Sequence, residues 1–198
     1  MNPETAYRNL IIETEGVLRG HPDMAAFAPF PADVRPQDLQ PTYRNVCDMM
    51  CRDTGLVSHR YPDLVHAVLA AAPHMLWRGT YDDSAPFMER WGCFTVLGEG
   101  GPFVASRLRV FVVYMPPGLY YPSHRHPAEE IYLVIAGNGR FYRAGLPDQH
   151  LGEGDTAFHA SEQVHAIETQ QSPMLSVVAW RSHLTTPPVL VPEADGLR

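Results

Sequence analysis

Two histidines and a carboxylate stand close together in the segment YYPSHRHPAEEIYLVIAG. His124 and His126 are two positions apart, and Glu130 follows four positions later. Residues i and i+2 of a β-strand point to the same face, so both imidazoles can reach one ion. Imidazole and carboxylate together are ligands that suit a divalent transition metal. This stretch therefore predicts a metal site on a strand.

A further ligand must come from another segment, and GEGDTAFHASEQVHAIE supplies two histidines. His165 begins a predicted strand after the turn SEQ, and we expect that strand to lie beside the first pair. His159 is the weaker candidate, because it follows Phe158 in a predicted strand and is equally suited to a supporting donor or a surface position. Whether His124 binds the ion directly or supports the site stays open. The predicted ligands are His124, His126, Glu130 and His165.

The other histidines and the three cysteines are assigned structural or surface roles. Cys47 and Cys51 are four positions apart and would share one face of a helix, a spacing that could bind a metal, but no histidine lies near them in sequence and two small half-buried residues are the favoured interpretation. An odd, low cysteine count also argues against a disulfide framework. The histidines assigned in this way are His21, His59, His66, His74, His150 and His183.

Composition excludes several classes of function. The chain of 198 residues has a formal net charge of −7 and a pI of about 5.7, which argues against a nucleic-acid-binding surface. No apolar run reaches the roughly 18 residues that a membrane span needs. The N-terminal segment lacks a basic stretch followed by an apolar core, so we expect no signal peptide and a cytoplasmic location. We expect a monomer or a homodimer.

The pattern of apolar residues divides the chain into two regions. Residues 1–90 predict helices in TAYRNLIIETEGVLRG, TYRNVCDMMCRDTG and YPDLVHAVLAAAP, with an irregular, proline-rich segment between the first two. Residues 91–198 contain many short β-branched or aromatic runs separated by Gly and Pro, which is typical of a sandwich or barrel. AGNGR at 136–140 predicts a hairpin turn. The predicted fold is mostly β: a single barrel preceded by a helical region.

The segment GLYYPSHRHPAEEIYLVIAG resembles the first motif of the cupin superfamily, Gly-x5-His-x-His-x3-Glu-x6-Gly, in full. GDTAFHASEQVH resembles the second motif, with Gly154 and Asp155 placed 11 and 10 positions before His165. It departs from that motif at Ala160 and Glu162, where the family has Pro-x-Gly. The resemblance implies a double-stranded β-helix, or jelly-roll, barrel. The residues that match the first motif are Gly118, His124, His126, Glu130 and Gly137.

Tyr132 lies two positions after Glu130 and is predicted on the same face, next to the ion. A tyrosine there either fills the barrel with its ring or, with its phenolate favoured by the nearby cation, takes a proton. Tyr121 and Tyr120, just before the histidines, are candidates for a second hydroxyl. Three features of the chain together resemble the bacterial dimethylsulfoniopropionate (DMSP) lyases of the cupin superfamily, the DddQ type in particular. They are the pattern His-x-His-x3-Glu-x-Tyr, a tyrosine three positions before the first histidine, and a helical region before one barrel.

This resemblance implies a metal-dependent carbon–sulfur lyase that cleaves DMSP by β-elimination into dimethyl sulfide and acrylate. Tyr132 is the expected base and Tyr121 the next candidate. Aromatic faces suit the sulfonium cation, and Tyr120, Tyr142 and Trp180 are the candidate substrate contacts. The ion is one divalent metal, and Zn, Fe(II), Mn, Co and Ni all suit such ligands.

Two other functions fit the same cupin site. A dioxygenase would use Fe(II) with these ligands and consume O2, and a binding protein would keep the pocket without turnover. Neither function needs Tyr132, which is the sequence feature that separates them from the lyase.

Overall fold

The computed structural model describes residues 1–78 and 86–197 of the chain. Four α-helices form the N-terminal part: α1 (Pro3–Gly20), α2 (Pro22–Phe27), α3 (Asn45–Arg52) and α4 (Pro62–Ala71). The Asn2 side chain accepts a hydrogen bond from the Thr5 amide at the start of α1, and Pro3 occupies its first turn. The three predicted helices are confirmed. The part of the predicted helical region at 79–85 lies outside the described residues.

The segment expected to be irregular between α1 and α3 is partly regular, so that prediction was wrong in part. It contains α2, which begins at a proline directly after α1, and a two-residue strand at Arg35–Pro36. The strand pairs with Phe103 and Val104. Short elements of this kind are stabilised by the surface they pack on rather than by their own sequence. The high proline content of the segment therefore predicted an irregular conformation where short regular elements form.

The described residues form twelve strands in two sheets. They are β1 (Arg35–Pro36), β2 (Trp77–Arg78), β3 (Gly92–Leu97), β4 (Phe103–Val104), β5 (Arg109–Met115), β6 (Tyr120–Arg125), β7 (Glu129–Arg143), β8 (Gln149–Gly152), β9 (Thr156–His159), β10 (His165–Glu168), β11 (Met174–Arg181) and β12 (Val189–Leu190). One sheet runs β1-β4-β3-β5-β11-β7-β9, with β2 also paired to β3, and the other runs β8-β7-β10-β6-β12. All pairs except β3–β4 are antiparallel. The prediction of a mostly β jelly-roll barrel with an N-terminal helical region is confirmed.

Strand β7 belongs to both sheets. Its first half pairs with β9 and β11, and its second half pairs with β8 and β10. The change occurs at Gly137, which has a φ of 71°. The hairpin predicted at 136–140 is therefore wrong: the strand continues through AGNGR. Glycines at these positions permit a bend in a strand as readily as a turn between two strands.

Alternation along β7 separates two apolar cores. Ile131 and Leu133 belong to a core shared by the four helices and the outer wall of the barrel. Tyr132 and Val134 belong to a second core inside the barrel. Successive side chains of a strand point to opposite faces, so one strand supports the helices with one face and builds the interior with the other.

Candidate metal centre

Glu130 lies at the centre of a row of three side chains on adjacent strands. Its register partners are His159 on β9 and Trp180 on β11. His159 Nδ1 donates to Glu130 Oε2 at 2.7 Å, and Trp180 Nε1 donates to Glu130 Oε1 at 2.6 Å. Because these residues are at least nine-tenths buried, the carboxylate is held in one orientation by its neighbours rather than by water.

Three histidines converge beside this carboxylate. His124 on β6 and His165 on β10 are register partners, with ring centroids 4.0 Å apart, and His126 follows directly after β6. Nitrogen atoms of these three side chains lie within 4.8 Å of one another, and so do ligand atoms of Glu130, His159 and His165. Such distances bring either set within the reach of a single ion.

The histidine rings are oriented as metal ligands require. Nδ1 of His124, His126 and His165 each lies 2.8 to 2.9 Å from the backbone carbonyl of a residue two positions away in sequence. A carbonyl only accepts, so Nδ1 carries the proton and Nε2 keeps its lone pair. Nε2 of His126 and of His165 is buried without a hydrogen-bond partner. A metal ion would satisfy these buried acceptors beside the carboxylate, so the residues present are suited to bind one.

Burial and charge act together on the protonation of the centre. Burial lowers the pKa of His124 well below its usual value, and the positive charge of a protonated His165 would lower it further. The same two effects lower the pKa of His159 to about 3. Burial raises the pKa of Glu130, but the charge of a protonated His126 and the close approach of the His126, His159 and His165 rings to the carboxylate outweigh it and hold that pKa well below the usual range. The pKa of His126 is raised because the attraction of Glu130 exceeds the effect of burial.

The two tyrosines predicted as catalytic both lie next to the cluster. The Tyr132 ring lies 5.5 Å from the ring of His159, and the Tyr121 ring stacks on His124 at 4.1 Å. Tyr121 and His124 are three positions apart, which in a regular strand would place them on opposite faces. The register between β6 and β10 shifts at this point, and the irregularity turns both side chains inward.

These side chains line a cavity of about 270 Å³ inside the barrel. Glu130, His124 and His126 lie in its wall together with Tyr121 and Tyr132. Residues 185–188, which follow β11, also line it. A cavity of this size suits a small molecule that reaches both the ligand cluster and the tyrosines.

The comparisons with known proteins agree with this geometry. The family model for dimethylsulfoniopropionate lyase matches residues 26–176. The chain is 40% identical to the dimethylsulfoniopropionate lyase DddQ of Ruegeria pomeroyi DSS-3, over 97% of this chain and 98% of the relative. This chain belongs to the DMSP lyase family.

Solved structures of DMSP lyases have the same fold. The crystal structure of DddQ from R. pomeroyi DSS-3 superposes with a TM-score of 0.93, covering 96% of this chain and 98% of that one. A chain from the crystal structures of the DMSP lyases RdDddP and RnDddQII is 34% identical, with a TM-score of 0.92, and the match covers 96% of this chain and all of the other. The barrel with its N-terminal helical region is thus a fold that this chain shares with solved members of the family.

Only one of the three predicted substrate contacts reaches the cavity of this DMSP lyase family member. Trp180 lines it. Tyr120 and Tyr142 do not: their rings contact each other at 6.5 Å, and the Tyr142 hydroxyl donates to Glu168 at 2.8 Å. Both side chains belong to the sheet of β6, β10 and the second half of β7, where they occupy the face away from the cavity.

Several cavity residues were missed by the sequence reasoning. Trp91, Thr95, Arg109 and Phe111 all line the cavity, and none belongs to a cupin motif. Arg109 and Phe111 are two positions apart at the start of a strongly apolar strand. An arginine in that pattern is the one signal that could have indicated a buried charged contact.

Cys93 lines the cavity, but it belongs to neither group of possible metal ligands. Among residues 1–78 and 86–197, only the two sets given above form a group of three possible ligands. Cys47 is buried in the helical core and Cys51 is exposed on the same helix. No helix in the same described ranges is both long enough and apolar enough to cross a membrane.

Proposed function

We propose that this protein is a metal-dependent carbon–sulfur lyase that cleaves DMSP into dimethyl sulfide and acrylate. The observation that carries the proposal is that Tyr132 lines one cavity together with His124, His126 and Glu130 of the ligand cluster, in a member of the DMSP lyase family. The 40% identity to DddQ over nearly the whole chain supports the same substrate.

DMSP has a carboxylate at one end and a tertiary sulfonium at the other. In the β-elimination, a base removes a proton from the carbon next to the carboxylate, that C–H electron pair becomes the C=C bond of acrylate, and the C–S bond breaks with its electrons on sulfur. The proton is only weakly acidic, because the neighbouring carboxylate is already negative. The site must therefore stabilise additional negative charge beside the carboxylate.

The proposed ligands of the ion are His124, His126, Glu130 and His165. A divalent ion bound there supplies a Lewis acid that stabilises the negative charge developing at the substrate carboxylate. This set of donors accepts Zn, Fe(II), Mn, Co or Ni. His159 is proposed as the donor that orients Glu130, since its Nδ1 bonds that carboxylate at 2.7 Å.

Tyr132 is the proposed base. It is 3% exposed, it lines the cavity, and it lies on the same face of β7 as Glu130. Tyr121 is the second candidate, since it lines the cavity beside His124. Their burial keeps bulk water from the proton that is transferred.

Aromatic faces in the cavity wall suit the sulfonium, which has no hydrogen-bond donor. The rings of Trp180 and Phe111 meet edge to face at 5.1 Å, and Trp91 and Tyr121 form a second pair at 4.9 Å. All four rings line the cavity. Tyr120 and Tyr142 are left out of the proposed substrate site because they lie outside that wall.

The test is headspace gas chromatography for dimethyl sulfide after DMSP is added to purified protein loaded in turn with each of the five metals. We expect dimethyl sulfide and acrylate in equal amounts. If no metal-loaded form releases dimethyl sulfide while the protein consumes O2 with another substrate, the lyase proposal fails and the dioxygenase replaces it. The cytoplasmic location and the monomeric or homodimeric state stay predictions.

A further inference from the structure

Arg109 places a cationic side chain in the wall of the cavity. It is the first residue of β5, it is 8% exposed, and it lines the cavity with Glu130 and Trp180. The register of the sheet sets Arg109 opposite Trp180, and Trp180 opposite Glu130. Adjacent strands are about 4.8 Å apart, so the Arg109 backbone lies roughly 10 Å from that of Glu130.

Within the described part of the chain, the hydrogen bonds of the guanidinium all go to neutral groups. Nη1 donates to the Leu184 carbonyl at 2.8 Å, and Nη2 donates to the Glu99 carbonyl at 3.0 Å and weakly to Thr95 Oγ1 at 3.4 Å. The guanidinium carbon lies 4.7 Å above the Phe111 ring. Arg109 Nε is buried without a hydrogen-bond partner, and no carboxylate within the described ranges forms an ion pair with it.

A buried cation without a counter-ion is unfavourable, and an anion that enters its site removes much of that penalty. Burial, followed by the nearby positive charge of Arg78, lowers the pKa of Arg109. Glu99 also lines the cavity and its charge opposes this effect, but it contacts Arg109 through its backbone carbonyl.

We propose that Arg109 binds the carboxylate of the substrate and makes the enzyme selective for it, an inference that rests on the proposed lyase function. The carboxylate is the only group of DMSP that accepts a hydrogen bond. It has two oxygens, so a contact with Arg109 leaves the second available to the metal centre. The guanidinium repels the sulfonium, so the zwitterion is oriented with its sulfonium end directed away from β5.

The test compares wild type with Arg109→Met and Arg109→Lys, each at matched metal content. Two quantities are measured: KM for DMSP, and the Kd for propionate by titration calorimetry, since propionate has the carboxylate but no leaving group. Loss of a hydrogen bond to a charged group predicts a rise of roughly 10- to 100-fold in both for Arg109→Met. Arg109→Lys keeps the charge and should recover part of that loss.

Arg181→Met is the matched control. Arg181 also donates to a backbone carbonyl, that of Phe27, and lies 4.6 Å over an aromatic ring, but it does not line the cavity. Its replacement should leave both constants unchanged. If Arg109→Met does not fold, Arg109→Gln serves as a second neutral variant. Its amide can still donate a hydrogen bond where the guanidinium did.

The outcomes separate this inference from the proposed function. Unchanged KM and Kd in a folded neutral variant, with dimethyl sulfide still released, overturn the role of Arg109 and leave the lyase activity standing. Propionate binding that depends on Arg109, in a wild-type protein that releases no dimethyl sulfide, supports carboxylate recognition and contradicts DMSP as the substrate.

Discussion

At the scale of single residues, the centre depends on how Glu130 is held. Its two oxygens accept from His159 and Trp180, and Nε2 of His126 and of His165 lies 3.5 and 3.3 Å from Oε2. A carboxylate held on both oxygens has little freedom left to lose when an ion binds, which favours metal binding. The roles of these residues can be separated by substitution.

Metal content distinguishes ligands from supporting residues. We expect His126→Ala and His165→Ala to lose the metal, as measured by elemental analysis after dialysis. The His159→Ala variant should still bind the metal at high metal concentration, because it loses only the donor that orients Glu130. Its affinity for the metal should be lower by roughly 10- to 100-fold. The exposed His150 is the control position. Full occupancy in both His126→Ala and His165→Ala would remove these residues from the ligand set.

Replacing Tyr132 by Phe tests the proposed base. The change keeps the ring and its contacts with Phe141 and His159 but removes the hydroxyl. Loss of a general base typically lowers the rate by about 10²- to 10⁴-fold, whereas a packing role predicts only a small change. Dimethyl sulfide release is measured at confirmed metal occupancy. Tyr142→Phe, on the same strand but outside the cavity, is the matched control. Equal rates in the two variants would contradict Tyr132 as the base and make Tyr121 the next residue to test.

At the scale of elements, β7 is the strand that joins the two sheets around the site. It contributes Glu130 and Tyr132 to the cavity, then bends at Gly137 to enter the second sheet beside the strand of His165. A Cβ atom added at Gly137 would lie 1.8 Å from the Pro173 carbonyl oxygen. The bend therefore requires glycine for two reasons: its positive φ and this close approach.

A pair of glycine substitutions separates those two reasons. Gly118 has a φ of 68°, yet a Cβ there would contact nothing within 4 Å. We expect Gly118→Ala to cost about 1–2 kcal/mol of unfolding free energy from backbone strain alone. Gly137→Ala should cost more than about 3 kcal/mol, because the clash is added to the same strain. Denaturant unfolding measures both, and equal losses would show that the approach to Pro173 relaxes without cost.

At the scale of the whole molecule, the helices and the barrel share one apolar core. Leu10 and Val68 from the helices belong to the same buried cluster as Val112, Leu133 and Val177 from the barrel wall. Two layers that bury their apolar faces against each other stabilise one another and fold as one unit. We propose on this ground that residues 1–90 act as a packing region for the barrel of residues 91–198.

Removing the helices should make the barrel insoluble or inactive. We expect the fragment 91–198 to aggregate, because the outer wall of the barrel loses its cover. A milder test is Val68→Asp, which places an unpaired charge at a fully buried position of α4 and should lower the melting temperature by roughly 10 °C. His66→Asp, on the exposed side of the same helix, is the control. A soluble fragment with full turnover would show that the helices are dispensable.

Local sequence determined much of this protein by itself. The period of apolar residues determined the helices, since an amphipathic helix depends on neighbours three and four positions away. Alternation on a strand was sufficient to bring Glu130 and Tyr132 to one face, and the motif spacing identified the family. His165 could be chosen because it follows a turn at the start of a strand. These features depend on residues close together in the chain.

The tertiary structure alone decided the rest. His159 reaches Glu130 because β9 pairs with β7 in one particular register, and Arg109 reaches the cavity through the pairing of β5 with β11. An irregularity between β6 and β10 turns Tyr121 inward while Tyr120 stays on the other face. A shift of one residue in register moves every side chain of a strand to the opposite face. Register is set by contacts between distant segments, so no local pattern could determine which of these side chains meet in the cavity.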